Sequence, residues 1–267
     1  MIRLSWALGG AIVTIALTHP ADAADLPIQV PTPVVAIANW TGIYIGGSVA
    51  GRWTDATWAT TAIGSPPGPV DPTTTPASFN SPSVRAGGYI GYNWQFDPLY
   101  VVGLEADVAW GNNNLTLGGI PGTFGTGGQG AGLAAISIDS SNVRLGWEGG
   151  FRGRFGMLFT PTWLLYGTGG LAWQQVDFNA TCNGTPSNGS WCVAPRDQTI
   201  SLTRVGWTLG GGIETMLWNH WLIRAEYRYS DYGTFSRNFF ANAPIDQVTM
   251  TGSLKTNIGL IGAAYKF

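Results

Sequence analysis

Apolar and polar residues alternate along the last stretch of the chain, residues 257–267. Successive side chains of a β-strand point to opposite faces, so every second residue lies on one face. The first such stretch, residues 40–53, alternates in the same way. A closed transmembrane barrel requires this design, because its last strand must pair with its first and present an apolar face to lipid. The apolar face of the last stretch consists of Phe267, Tyr265, Ala263, Ile261 and Gly259.

Eight strands are predicted from this alternation. Together they predict an all-β fold, an eight-stranded antiparallel up-and-down transmembrane β-barrel. The register of the fifth strand stays open, because its leucine, glycine and threonine residues barely alternate. The predicted strands are residues 40–53, 84–96, 100–110, 143–155, 163–175, 204–215, 221–229 and 257–267.

The connections between these strands alternate in length, which predicts the orientation of the barrel. Short turns are predicted at residues 97–98, 157–161 and 217–220, and long connections at residues 54–83, 111–142, 176–203 and 230–256. Outer-membrane barrels have short periplasmic turns and long extracellular loops. Both ends of the barrel domain are therefore expected on the periplasmic side.

Charged residues in the predicted strands share the face opposite to the lipid-facing series. An arginine or lysine on the lipid face would cost about 2–4 kcal/mol at the bilayer midplane. An eight-stranded barrel is just wide enough for side chains to fill it. We therefore expect a packed lumen charge network that stabilises the barrel, in preference to an ion-selective channel. Its predicted members are Arg52, Arg85, Glu105, Asp107, Arg144, Glu148, Arg152, Arg154, Arg204, Glu214, Arg224, Glu226 and Arg228.

Aromatic residues collect at the ends of the predicted strands. Indole and phenol rings suit a boundary that is apolar on one side and wet on the other, so two interfacial belts are predicted. A carbohydrate or base-stacking platform is the alternative use of so many aromatic rings. The predicted periplasmic belt is Trp40, Trp94, Tyr100, Trp163, Trp221, Tyr265 and Phe267, and the opposite belt is Trp53, Trp110 and Trp173.

Composition supports a membrane barrel. Of the 267 residues, 10% are charged, 39 are glycine and 13 are tryptophan, whereas soluble domains carry about 25% charged residues. The formal net charge of −2 gives no basic surface for nucleic acid. No composition break divides the strand pattern, so one folded domain is predicted, residues 40–267.

The first residues are predicted to direct export. Arg3 precedes an apolar run at residues 4–17, and Ala21-Asp22-Ala23 fits a signal-peptidase site. Residues 1–23 are therefore predicted to be a signal peptide, because the apolar run is too short to span a bilayer. Residues 24–39 are rich in proline without alternation and are predicted to be a periplasmic lead-in.

Two cysteines, Cys182 and Cys192, flank a segment of turn-forming residues. An exported chain meets an oxidising compartment, so a loop disulfide is predicted in preference to two free thiols. A metal site is less favoured, because no histidine lies nearby.

Four motifs together resemble the small porin-family outer-membrane proteins of alphaproteobacteria, often called outer-membrane immunogenic proteins. They are W-T-G-I-Y-I-G-G at residues 40–47, G-L-E-A-D at 103–107, R-G-R-F-G at 152–156 and the A-A-Y-K-F ending. The resemblance implies an OmpA-like barrel in the cell outer membrane and a surface antigen. It also implies insertion by the outer-membrane assembly machinery through the terminal strand, with Tyr265 and Phe267 as the assembly signal.

The function expected from the sequence is that of a structural and surface-antigen protein of the envelope. Its expected partners are outer-membrane lipid and lipopolysaccharide, the assembly machinery, and host or envelope surface molecules. A narrow diffusion pore and a haemin-binding surface protein are the alternatives, since some relatives are described as haemin-binding. No cofactor is expected, because His220 lies in a predicted periplasmic turn and His19 in the signal peptide. No enzyme is predicted either, because a general base is lacking at the outer rim.

Overall fold

A computed structural model describes residues 38–123, 138–184 and 190–267, and the predicted signal peptide and most of the lead-in lie outside them. Within this part of the chain, no helix is long and apolar enough to cross a membrane. A 3-10 turn at Pro244–Asp246 precedes the last strand. The strands are β1 (Gly42–Ile63), β2 (Ala77–Gln95), β3 (Tyr100–Gly118), β4 (Ser140–Thr160), β5 (Trp163–Cys182), β6 (Arg196–Leu217), β7 (Trp221–Phe239) and β8 (Val248–Lys266).

The eight strands form a closed antiparallel barrel in chain order. The ring closes between β1 and β8, where Val49 pairs with Ile261 and the Phe267 amide donates to the Ile43 carbonyl oxygen over 2.9 Å. Closure leaves no free edge in the ring, as a membrane-spanning sheet requires. The predicted all-β, eight-stranded up-and-down fold is confirmed.

The two faces of the barrel differ in chemistry. Alternate residues of β5 settle the register that the sequence left open, since Leu164 and Tyr166 are buried inside whereas Leu165 and Leu171 are exposed. Exposed apolar residues form a band around the outside, as a lipid-facing surface requires. The band includes Ile43, Ile45, Val49, Ile90, Leu104, Phe151, Phe155, Leu209, Tyr227 and Ile261.

The strands are longer than the alternation predicted, and the connections are correspondingly shorter. β1 continues to Ile63, and β2 begins at Ala77, so much of the predicted connection at residues 54–83 is strand. Beyond the apolar band, outward residues of these strands are polar, such as Asp55, Thr57 and Asn80. A strand with polar residues facing water lacks the lipid-facing signal and resembles a loop in sequence.

At the end that carries the long connections, here termed the loop end, the barrel opens into two sheets. Pairing of β2 with β3 stops at Arg85–Gly111, and pairing of β6 with β7 stops at Trp207–Asp231. The other strand pairs continue further, so two four-stranded sheets result, β7-β8-β1-β2 and β3-β4-β5-β6. Apolar side chains pack between them, and this loop-end cluster includes Trp58, Phe79, Phe178, Phe235, Phe239, Val248 and Met250.

A bulge in β4 changes which side chains face inward. The β4–β5 register shifts between Leu145 and Glu148, so two residues separate successive inward side chains at this point. Leu145 is consequently buried and Arg144 is exposed. The prediction that Arg144 belongs to the lumen network is therefore wrong, because strict alternation does not hold across the bulge.

At the opposite end, here termed the turn end, Trp40 is buried inside the barrel. Its indole Nε1 donates to the Pro161 carbonyl oxygen over 3.1 Å, and its amide donates to the Gln95 side chain over 3.0 Å. The prediction that Trp40 belongs to an interfacial belt is wrong, because it precedes β1 and turns back into the ring.

Candidate functional site: the barrel lumen

Glu105 lies at the centre of the ion pairs inside the barrel. Its Oε1 accepts from Arg152 Nη2 over 2.7 Å and from Arg224 Nη2 over 3.2 Å. Its Oε2 accepts from the Tyr44 hydroxyl over 3.0 Å. These side chains come from four different strands and are all buried, so the carboxylate joins opposite walls of the lumen.

Asp107 and Glu148 extend the ion pairs toward the loop end. Asp107 pairs with Arg152 and with Arg228, the latter over 3.3 Å, and it lies 3.9 Å from Arg85. Glu148 pairs with Arg85 and, over 2.8 Å, with Arg52. Strands β1, β2, β3, β4 and β7 are thus connected through one set of charged side chains.

Glu226 and Glu214 complete the set on the side of β6 and β7. Glu226 accepts from Arg228 Nη2 and from the Tyr166 hydroxyl, each over 2.7 Å. Glu214 lies 3.3 Å from Arg154, whose guanidinium stacks 4.1 Å from the centre of the Tyr166 ring. Aromatic faces favour such cations by cation–π attraction.

Arg204 does not join these ion pairs, although it is on the inward face. Its Nη2 donates to the carbonyl oxygens of Tyr232 and Thr234 over 3.2 and 3.1 Å, and it packs over Phe235. It bridges β6 and β7 where their pairing has ended, so its predicted place in the network is wrong. The lumen network comprises Arg52, Arg85, Glu105, Asp107, Glu148, Arg152, Arg154, Glu214, Arg224, Glu226 and Arg228.

Uncharged side chains also belong to this layer, and sequence reasoning did not single them out. Gln174 is fully buried, accepts from Arg52 over 3.3 Å and donates to the Trp147 carbonyl oxygen over 3.1 Å. The Arg224 guanidinium stacks on Tyr89 at 3.7 Å from the ring centre. The sequence signal that could have found them is that every second residue of a strand faces inward. This alternation places Gln174, Tyr44, Tyr89 and Tyr166 on the inner face.

Apolar side chains close the lumen on both sides of the network. The loop-end cluster lies on one side, with Trp58 stacked on Phe239 at 5.0 Å between ring centres. A turn-end cluster lies on the other side and includes Trp40, Val101, Leu158, Leu164, Met216 and Leu222. The lumen therefore carries three layers, apolar, ionic and apolar, along the barrel axis.

The connections at the loop end are tied to one another. Cys182 and Cys192 form a disulfide with their Cα atoms 6.0 Å apart, as predicted. The Asp139 carboxylate accepts from the Asn183 and Trp191 amides. Asp246 accepts from the Val193 amide and pairs with Arg196 over 2.6 Å. These bonds link three of the long connections across the mouth.

In the described part of the chain, no three His, Cys, Asp or Glu side chains are grouped to hold a metal ion. His220 stacks on Tyr265 at the turn end, with ring centres 5.4 Å apart.

A closed ring of eight strands with an apolar outside and an ion-paired inside defines a transmembrane β-barrel of the outer-membrane class. Residues 28–267 match the family model described as the outer membrane protein beta-barrel domain. The chain belongs to this family and is a protein of the cell outer membrane.

Curated relatives agree with this assignment. The chain is 29% identical over 258 residues to the 31 kDa outer-membrane immunogenic protein of Brucella melitensis, covering 92% of this chain and 93% of the relative. It is 28% identical over 222 residues to the 22 kDa outer membrane protein of Rhizobium leguminosarum, covering 79% and 77%. The predicted resemblance to outer-membrane immunogenic proteins is confirmed.

Solved structures that are similar over most of the chain include the outer membrane protein OprG of Pseudomonas aeruginosa. The two are 12% identical, the match covers 86% of this chain and 97% of OprG, and the TM-score is 0.46.

Proposed function

We propose that this protein is a closed structural barrel of the outer membrane, which contributes to envelope integrity and carries its loop end as a surface antigen. The observation that carries this proposal is the three-layer filling of the lumen. Arg224 and Glu105 join opposite walls at mid-height, and Trp58 and Trp40 are fully buried in the apolar clusters on either side. A solute would have to displace all three layers to cross.

Ion pairs inside a membrane barrel favour a structural role over a conducting one. A conducting pore needs a path lined by groups that the ions can reach, such as backbone carbonyls or charged side chains, whereas Arg52, Arg152 and Arg224 are almost completely buried. Each faces carboxylates of other strands. Ion pairs that are buried in this way link the strands that carry their side chains.

Conductance across planar bilayers tests the proposal. Protein refolded into vesicles and fused with the bilayer is expected to give no discrete current steps, because the ionic layer lies between two apolar layers. A general diffusion porin added to the same membrane serves as the positive control. Discrete steps from the wild type that grow after Arg152→Ala would instead identify a narrow pore.

The terminal aromatic residues are proposed as the signal for the assembly machinery. Phe267 is 70% exposed and packs edge-on against Tyr265, with ring centres 5.2 Å apart. Phe267→Ala is expected to lower the amount of folded barrel in the outer membrane severalfold, measured by heat-modifiable gel migration of membrane fractions. The matched control is Phe155→Ala, which removes a lipid-facing ring of β4. Equal losses in the two variants would mean that Phe267 acts only as a lipid-facing residue.

A further inference from the structure

Arg144 lies on the outside of the barrel, just beyond a girdle of tryptophans. Cross-strand pairing sets Trp110 of β3 beside Trp147 of β4, and the ladder resumes at Asn113 and Leu145 after the bulge. Arg144 is the next residue of β4 toward the loop end, so its side chain lies at the level where the apolar band ends. Tryptophan marks the membrane–water interface in barrels, so this guanidinium lies near the lipid headgroups of the outer leaflet.

A pocket of about 630 Å³ opens on this outer surface. Glycine at position 146 helps to form it, since a Cβ atom there would lie 2.8 Å from the Gln175 side-chain oxygen. One part of its lining is apolar and another part is polar. Its lining includes Val84, Trp110, Arg144, Trp147 and Gln175.

The charge of Arg144 is not neutralised by an ion pair within the described residues. Two other cations differ, since exposed Lys255 lies 3.9 Å from Asp231 and half-buried Arg196 lies 2.6 Å from Asp246, whereas exposed Arg237 resembles Arg144 in making no ion pair within the described residues. Asp177 is the cross-strand neighbour of Arg144 in β5, but it does not line the pocket. The pocket therefore combines a positive polar wall with an apolar wall.

We propose that this pocket binds the phosphate group of an anionic lipid of the outer leaflet. The planar guanidinium of Arg144 suits bidentate contact with phosphate oxygens. Val84, Trp110 and Trp147 contact the first segments of the acyl chains below the phosphate. Gln175 offers a side-chain amide donor to the same headgroup.

Native mass spectrometry of the refolded protein titrated with diphosphorylated lipid A tests this site. Arg144→Gln is expected to weaken binding about fivefold or more, because a charge-assisted hydrogen bond to phosphate is lost. Lys255→Gln is the matched control, since it removes an exposed outward cation away from the pocket, and it is expected to change binding less than about twofold. Asp177→Asn is expected to retain or strengthen binding, because a neighbouring negative charge is removed.

Several results would overturn the proposal that this pocket binds a lipid phosphate. These are equal binding by the wild type and Arg144→Gln, equal weakening by Arg144→Gln and Lys255→Gln, or weakening by Asp177→Asn as large as that by Arg144→Gln. The last would show that Arg144 serves only as the partner of Asp177. Displacement of lipid A by millimolar inorganic phosphate would assign the pocket to free phosphate. Heat-modifiable migration verifies that every variant is folded.

Discussion

Glu105→Ala lowers the free energy of unfolding of the barrel by about 3–5 kcal/mol, because removing one partner of a buried ion pair leaves the other charge uncompensated. Glu105 accepts hydrogen bonds from Arg152 and Arg224, which are both buried. Its removal leaves two guanidinium groups in the lumen without their shared carboxylate. Urea unfolding in lipid vesicles, followed by the fraction of heat-modifiable protein, measures the change.

Asp55→Asn provides the matched control for this variant. Asp55 is an exposed carboxylate on the outer face of β1, and such surface substitutions usually change stability by less than about 0.5 kcal/mol. If Glu105→Ala changed stability no more than Asp55→Asn, the lumen network would not be what holds the walls together.

Trp58→Ala lowers the free energy of unfolding by about 3–5 kcal/mol, the range for removing a large aromatic side chain from a packed core. Trp58 is fully buried, stacks on Phe239 and packs edge-on against Phe178 of the opposite sheet, 6.0 Å between ring centres. Because few ladder bonds join the two sheets at the loop end, this cluster is expected to hold them together.

The loss at Trp58 should appear first as faster proteolysis of the loop end and then as a lower urea midpoint. Trp218→Ala is the control, since Trp218 is 82% exposed in a turn-end connection. Similar protease resistance in Trp58→Ala and the wild type would mean that the strand pairs alone keep the loop end folded.

Much of the membrane-embedded part was predictable from sequence, because lipid imposes a strict two-residue period. An apolar residue must occupy each outward position, and charged residues such as Glu105, Arg152 and Glu226 are confined to the other face. Strand number, chain-order pairing and the closing contact of β8 with β1 follow from that period.

Features outside the membrane-embedded part, or at irregular points of a strand, were not predictable from the two-residue period. Above the apolar band, outward positions face water, so residues 54–63 of β1 have the composition of a loop although they form strand. The bulge of β4 carries no strong sequence signal besides Gly146, and it reverses the faces of Arg144 and Leu145. Trp40 was misplaced because its direction depends on long-range contacts with Gln95 and Pro161.

Thiol labelling of two variants, each with one serine replaced by cysteine, tests the closed lumen most directly. Ser230 is 1% exposed inside the barrel between the lumen network and the loop-end cluster, whereas Ser201 is exposed on the outer face of β6. With the native disulfide intact, a charged methanethiosulfonate reagent is expected to modify Ser201→Cys rapidly. Ser230→Cys is expected to react at least about a hundredfold more slowly, because reaching it requires local opening of the packed structure. Comparable labelling rates at both positions in folded protein would show a water-filled lumen and contradict the account.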